Sequence, residues 1–214
     1  IDGEVFCYKK LLLLDPHDVE SLFQLAQAYT QNKNYKKAIS SLNEIEKKSG
    51  LNEDLSIRKE RLYILLGELD LAVLELKKLI TAFPKEMRYR RMLAELYKAN
   101  DLNIRAIKVY KEIIEIDSRN PYANMALAEY YRVNNDFDMA LDHINVCFDS
   151  PEIKIESILQ ILSTYAELSF KEKKYGLTLE ALLKKALSRH PNEAQLHLLS
   201  ADLSYQKNMT SEAF

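Results

Sequence analysis

A step of 34 residues runs through this chain and constrains its fold more than any other feature. Ala38, Ala72, Ala106 and Ala140 keep it, and so do Tyr29, Tyr63, Tyr97 and Tyr131. Leu42, Leu76, Tyr110 and Ile144 repeat a bulky residue at the same interval, and Pro16, Gly50, Pro84 and Ser118 repeat a helix-ending one. Self-similarity of this kind marks a repeat array, in which a unit buries its apolar face only by stacking on its neighbours.

Each period reads as two short amphipathic helices. Leu22, Leu25, Ala26 and Tyr29 share one face of the first, and Leu42 and Ile45 follow Ala38 on one face of the second. Asn32-Lys33-Asn34 supplies the turn between them, with Gly67 and Asn135 in the matching places. Small residues such as Ala26 and Ala38 let the two backbones approach, and Tyr and Leu fill the remaining space. Asp15-Pro16, Phe83-Pro84 and His190-Pro191 close second helices, because proline cannot continue the hydrogen-bond ladder. With 4 Gly and 5 Pro in 214 residues, little room is left for a turn-rich all-β fold.

The segments Leu25-Ala26-x-x-Tyr29, Leu93-Ala94-x-x-Tyr97 and Leu127-Ala128-x-x-Tyr131 resemble the first half of the tetratricopeptide repeat signature. Ala38-x-x-x-Leu42, Ala72-x-x-x-Leu76, Ala106-x-x-x-Tyr110 and Ala140-x-x-x-Ile144 resemble the second half, and Ala186-Leu187-x-x-x-Pro191 its close. The resemblance covers nearly the whole chain. It implies an all-α, right-handed superhelical solenoid of antiparallel helix pairs whose role is to hold another protein. Residues 1–15 read as the second helix of a truncated repeat, and 16–49, 50–83, 84–117 and 118–151 as regular repeats. Residues 152–191 form a stretched repeat and 192–214 begin a further one, in which Ala213 would open a second helix. Without polar caps the array reads as part of a longer protein, similar to long bacterial tetratricopeptide proteins.

The units are not uniform. Lys59 and Glu60 take the slots of a Leu and a small residue, so the first helix of the second repeat is expected to pack with a shift. In the stretched unit a long first helix is expected at about 153–170, followed by a charged loop from Phe170 to Leu179 that holds Gly176. Cys7 and Cys147 are distant in sequence and are expected to be two buried thiols.

Composition and motifs point away from chemistry. A net charge of −2 gives no basic excess for nucleic acid, and the longest apolar run, Leu11–Leu14, falls far short of the ~20 residues of a membrane helix. No secretory signal core is present and the compartment is not fixed. His17, His143, His190 and His197 lie in different units; His143 and Cys147 share a helix face, but two ligands make no metal site. Glycines at 3, 50, 67 and 176 build no phosphate loop, and no serine stands in a nucleophile elbow. Neither catalysis nor a cofactor is expected.

What remains is the face that the first helices turn inward. Spacing from the repeated tyrosines assigns Phe23, Gln27 and Thr30 to it, then Ile57, Arg61 and Ile64. Arg88, Arg91, Glu95 and Lys98 follow, and then Tyr122, Met125, Glu129 and Arg132. Arginine and aromatic anchors dominate binding hot spots, so a groove for a peptide or helix with acidic and apolar residues is the leading expectation. Family members that clamp acidic chaperone tails place Lys and Asn on the first two groove helices. Phe23, Gln27 and Arg58 stand there instead, which argues against a cochaperone role. A spacer array that self-associates through its uncapped ends, or a regulatory domain of a larger protein, stays open.

Overall fold

The computed structural model describes residues 2–148 and 150–211, with side chains at 3–148 and 150–205. Ala213, named above as a helix start, lies outside the described residues. These residues form helices only: α1 (Asp2–Leu14), α2 (Val19–Gln31), α3 (Tyr35–Ser49), α4 (Glu53–Leu66), α5 (Leu69–Ala82), α6 (Met87–Ala99), α7 (Asn103–Ile116), α8 (Pro121–Val133), α9 (Phe137–Cys147), α10 (Ile155–Lys171), α11 (Lys174–Arg189) and α12 (Ala194–Ser211). The chain divides into two compact units, residues 1–130 and 131–214.

In the first unit each helix from α1 to α7 packs on its neighbours in the chain. Three features of the repeat explain why. The carbonyls of Tyr29, Tyr63 and Tyr97 accept the N–H five residues on, from Asn34, Glu68 and Leu102, at 2.8, 2.9 and 2.9 Å. That six-to-one bond is the Schellman closure, and it requires a left-handed residue just before the donor. Lys33, Gly67 and Asp101 supply it with φ of 57°, 73° and 58°. The chain therefore reverses at the same point of each repeat, and Ala38, Ala72 and Ala106 arrive fully or almost fully buried against the preceding helix. The links between repeats are capped as well: Asp18 accepts from the N–H groups of Glu20 and Ser21, and Asn52 from those of Asp54 and Leu55.

The second repeat keeps the register of the others. In α2 the buried set is Ser21, Leu22, Leu25, Ala26, Ala28 and Tyr29, and in α4 it is Leu55, Ser56, Lys59, Glu60 and Leu62, each 34 residues beyond its counterpart. The expected shift is absent because the misplaced charge finds partners. Lys59 is 0% exposed, and its Nζ lies 2.7 Å from Glu46 Oε2 on α3 and 3.1 Å from Glu75 Oε1 on α5. Lys78 joins the same two carboxylates at 3.5 and 2.9 Å. Burial pushes the Glu46 carboxyl up, but the bond and charge of Lys59, with Lys78, outweigh it and hold the group below its ordinary range. Other repeats carry Ile80, Ile114 and Phe148 where Glu46 stands, and Ser41, Val109 and His143 where Glu75 stands.

In the second unit the left-handed turn recurs at Asn135, φ 60°, where Asp136 N–H donates to the Tyr131 carbonyl at 2.9 Å. The Tyr131 ring stacks on His143 with centroids 5.5 Å apart. The long helix of the stretched repeat is α10, within two residues of its expected bounds. The expected charged loop is a correction: the chain breaks only at Glu172 and Lys173, and Gly176 sits inside α11. The Tyr175 ring next to that glycine packs edge-on against Phe137 and Tyr165, which seats the first turn of α11 as helix. At the far end Arg189 donates to the Phe148 and Ser150 carbonyls, closing the C-terminus of α9. Both cysteines are free, and only Cys147 is buried as expected. Cys7 is exposed; among the described residues, α1 packs chiefly on α2.

Two outcomes follow from this packing. A non-glycine residue in the left-handed region costs roughly 1–2 kcal/mol. Lys33→Gly should therefore stabilise the chain by about 0.5–1 kcal/mol and Gly67→Ala destabilise it by at least about 1 kcal/mol in urea unfolding. Lys59→Leu alone, which leaves Glu46 and Glu75 facing each other under cover, should cost about 3–5 kcal/mol. Adding Glu46→Ile and Glu75→Val, the residues of sister repeats, should restore or exceed the starting stability; a triple variant as weak as the single one would show that the cluster is not self-contained.

Candidate functional site

The first helices α2 and α4 leave a cavity of about 390 Å³ between them. Its floor is apolar, made of Ala26, Leu42 and Leu62, which the repeat pattern buries at 3%, 2% and 5% exposure. Phe23 and Leu65 form its walls, and Gln27, Thr30, Gln31, Arg58 and Arg61 its rim. Leu65 keeps 59% of its surface in solvent, an aliphatic wall with nothing against its outer side among the described residues.

Four residues picked from spacing, Phe23, Gln27, Thr30 and Arg61, meet at this cavity. Thr30 is turned inward, donating to the Ala26 carbonyl at 2.9 Å. Ile57, half-buried, and Ile64, 44% exposed, are not in its lining. Gln31 and Leu65 were missed, and Arg58 was named on a groove helix but not among the groove lining. Neighbouring first helices face each other with opposite flanks, so α4 contributes positions one residue beyond those that α2 uses. Gln31 and Leu65 also lie one helical turn past Gln27 and Arg61, and that i, i+4 step was the available signal.

The charges on this face are less free than their sequence positions imply. Arg58 Nε lies 2.7 Å from Asp54, and the guanidinium stacks 4.8 Å above the Phe23 ring. Arg88 bonds Glu53 at 2.8 Å and the Tyr89 hydroxyl at 2.9 Å, with Glu86 at 3.5 Å. Arg91 has Glu95 3.7 Å away and covers the Tyr122 ring at 4.8 Å. Two cations differ: Arg61 and Lys98 are exposed and make no hydrogen bond or ion pair among the described residues. Met125 is half-buried and Glu129 exposed on α8. Arg132 belongs to the second unit and is half-buried there. Beside Arg61 in the chain, Glu60 is 6% exposed; burial pushes its carboxyl up, and the Arg61 charge offsets that only in part.

The cavity lining holds the Thr30 hydroxyl but no Ser, Cys, His, Lys, Asp or Glu, and no group of three or more His, Cys, Asp or Glu among the described residues could hold a metal ion. No described helix is long and apolar enough to cross a membrane.

Residues 7–40 match a family model of the tetratricopeptide repeat, a span of one period. No curated protein matches the sequence. Solved structures do match in fold. The C-terminal part of a TPR repeat-containing protein from Cytophaga hutchinsonii is 17% identical with a TM-score of 0.57, over 88% of this chain and 72% of that one. MamA is 22% identical with a TM-score of 0.51, over 69% and 86%. YrrB, a TPR protein with an unusual peptide-binding site, is 13% identical with a TM-score of 0.51, over 91% and 97%. The fold is the all-α helix-pair fold of tetratricopeptide-repeat proteins.

Glu60 provides a check on the electrostatics. A carboxyl whose folded pKa is raised contributes stability below its unfolded value, near 4.5, and loses it as pH rises through the folded value. Glu60→Gln should therefore be more stable than the parent at pH 7, with the difference gone near pH 4 (about half a unit below the unfolded value). Urea midpoints at the two pH values decide it, and equal midpoints at pH 7 would refute the burial cost.

Proposed function

We propose that this chain, with the fold of tetratricopeptide-repeat proteins, is a non-catalytic scaffold that holds a partner protein through a peptide or helix laid against its first helices. The observation that carries the reading is the cavity between α2 and α4, with an apolar floor and a polar rim. Its volume falls within the ~300–1,000 Å³ of ligand pockets. The repeat pattern builds that floor before any partner arrives, so binding requires little backbone change. Support from the wider family is of the same kind: tetratricopeptide repeats are interaction modules, and YrrB has a peptide-binding site.

A second reading draws on α1, where Phe6, Leu13 and Leu14 keep 59%, 81% and 86% of their surface exposed. Two copies joined through that helix would form a longer array. Light scattering across a concentration series separates the two, since a peptide-binding scaffold stays monomeric.

The test of the main reading is selection of displayed twelve-residue peptides against the chain, followed by anisotropy titration of the winners. Leu65→Asp puts a charge at the mouth of the cavity on an already exposed residue, so circular dichroism should stay unchanged. Peptide affinity should fall at least about tenfold, or about 1.4 kcal/mol. Failure to enrich any peptide, or an affinity indifferent to Leu65→Asp, removes the cavity as the binding site.

A further inference from the structure

Resting on that reading, we infer that the cavity between α2 and α4 selects a partner segment in which an aliphatic side chain stands beside a carboxylate, and that Arg61 takes the carboxylate. The cavity presents two chemistries side by side. Ala26, Leu42 and Leu62 below, with Phe23 and Leu65 at the sides, accept only an apolar group without loss. Every polar group on the rim is an amide, a hydroxyl or a guanidinium, and no carboxylate lines the space. A cationic rim with no anion of its own is complementary to an anionic partner.

Among the arginines of this face, Arg61 is the one left for that role. Arg58 is committed to Asp54 and to the Phe23 ring. At Arg88 an incoming carboxylate would have to displace Glu53 and Glu86, and at Arg91 it would have to displace Glu95. Arg61 is exposed, lines the cavity, and makes no hydrogen bond or ion pair among the described residues. Glu60, the nearest acid in sequence, is buried and does not line the cavity. A guanidinium presents parallel N–H groups that match a carboxylate two to two, which an ammonium cannot do. Lys98 is similarly unpaired but lies on α6, away from this lining.

A carboxylate can come from an Asp or Glu side chain or from a chain terminus. Arg61 is exposed where it lines the cavity between α2 and α4, and the inference commits to the side chain within a continuous segment. The experiment uses the full chain and peptides selected from a display library in which the random segment has no free C-terminus. Winners should carry Leu, Ile or Met within two positions of Asp or Glu. Each is then synthesised with an amidated end, and a second time with the acid replaced by its amide, Asp→Asn or Glu→Gln.

Anisotropy titration against the parent and Arg61→Gln forms a double-mutant cycle. The peptide change and Arg61→Gln should each weaken binding roughly tenfold. The two together should weaken it no further, and the slope of affinity against salt should flatten by the same step in both. The same cycle with Arg88→Gln should show independence. The inference is overturned if the acid in the peptide couples to Arg88 or to neither residue, or if affinity rises only with a free terminal carboxylate. It is equally overturned if the unliganded chain is a dimer that Arg61→Gln dissociates, for then a second copy fills the cavity. Each of these outcomes leaves a peptide bound and Leu65→Asp effective, or a dimer in hand, whereas loss of all peptide selection sinks the scaffold reading itself.

Discussion

Helices of 13 to 15 residues, such as α2 to α7, are marginal alone in water, and each depends on an apolar stripe pressed against the next. That dependence is satisfied only if the chain reverses at a fixed phase. The tyrosine carbonyl sets the phase by accepting from five residues on, with one residue held left-handed between. The tyrosine ring fills space between helices, and its carbonyl ends the helix. One position thus settles both the packing and the turn, which is why it recurs so faithfully at Tyr29, Tyr63, Tyr97 and Tyr131.

The elements were legible because the period repeats packing geometry. Helix pairs, their turns at Lys33, Gly67 and Asn135, and the buried alanines all follow from residue type at a fixed step. Asp101 completes the set of turns, and the Asn100-Asp101 pair carries a turn signal that the count of the period did not use. Gly176 misled for the opposite reason: glycine suggests a loop, but the aromatic contacts of Tyr175 hold the segment helical. The partners of Lys59 were hidden in single positions: Glu46, which departs from the apolar residues of sister repeats, and Glu75, whose sisters Ser41, Val109 and His143 follow no common pattern. A search for departures from the period, and not only for the period, would have found Lys59 and Glu46 together.

Half of the cavity was legible for a similar reason. Phe23, Gln27 and Arg61 come from counting along one helix, whereas Arg58 and Leu65 depend on how two helices face each other. Charge was the harder part. Five basic residues on one face suggested a partner with acidic residues, yet Glu53, Glu86 and Glu95 stand next to two of them. Pairing of that kind is set by side-chain reach between neighbouring helices, which a linear period does not encode. Its effect is to leave selectivity concentrated where no carboxylate intrudes.

The ion cluster around Lys59 also bears on how such an array evolves. Glu46 comes from the first full repeat, while Lys59, Glu75 and Lys78 come from the second. Arrays of this kind grow and shrink by copying or losing whole units, an exchange that is tolerated when every junction is alike. Here the junction between α3 and α4 is chemically addressed: behind a sister helix that carries Ile80, Ile114 or Phe148, Lys59 loses Glu46 and keeps only Glu75. Duplication or deletion across that seam leaves Glu46 without its two lysines and Lys59 with Glu75 alone, so electrostatics favour the present linear order at this junction.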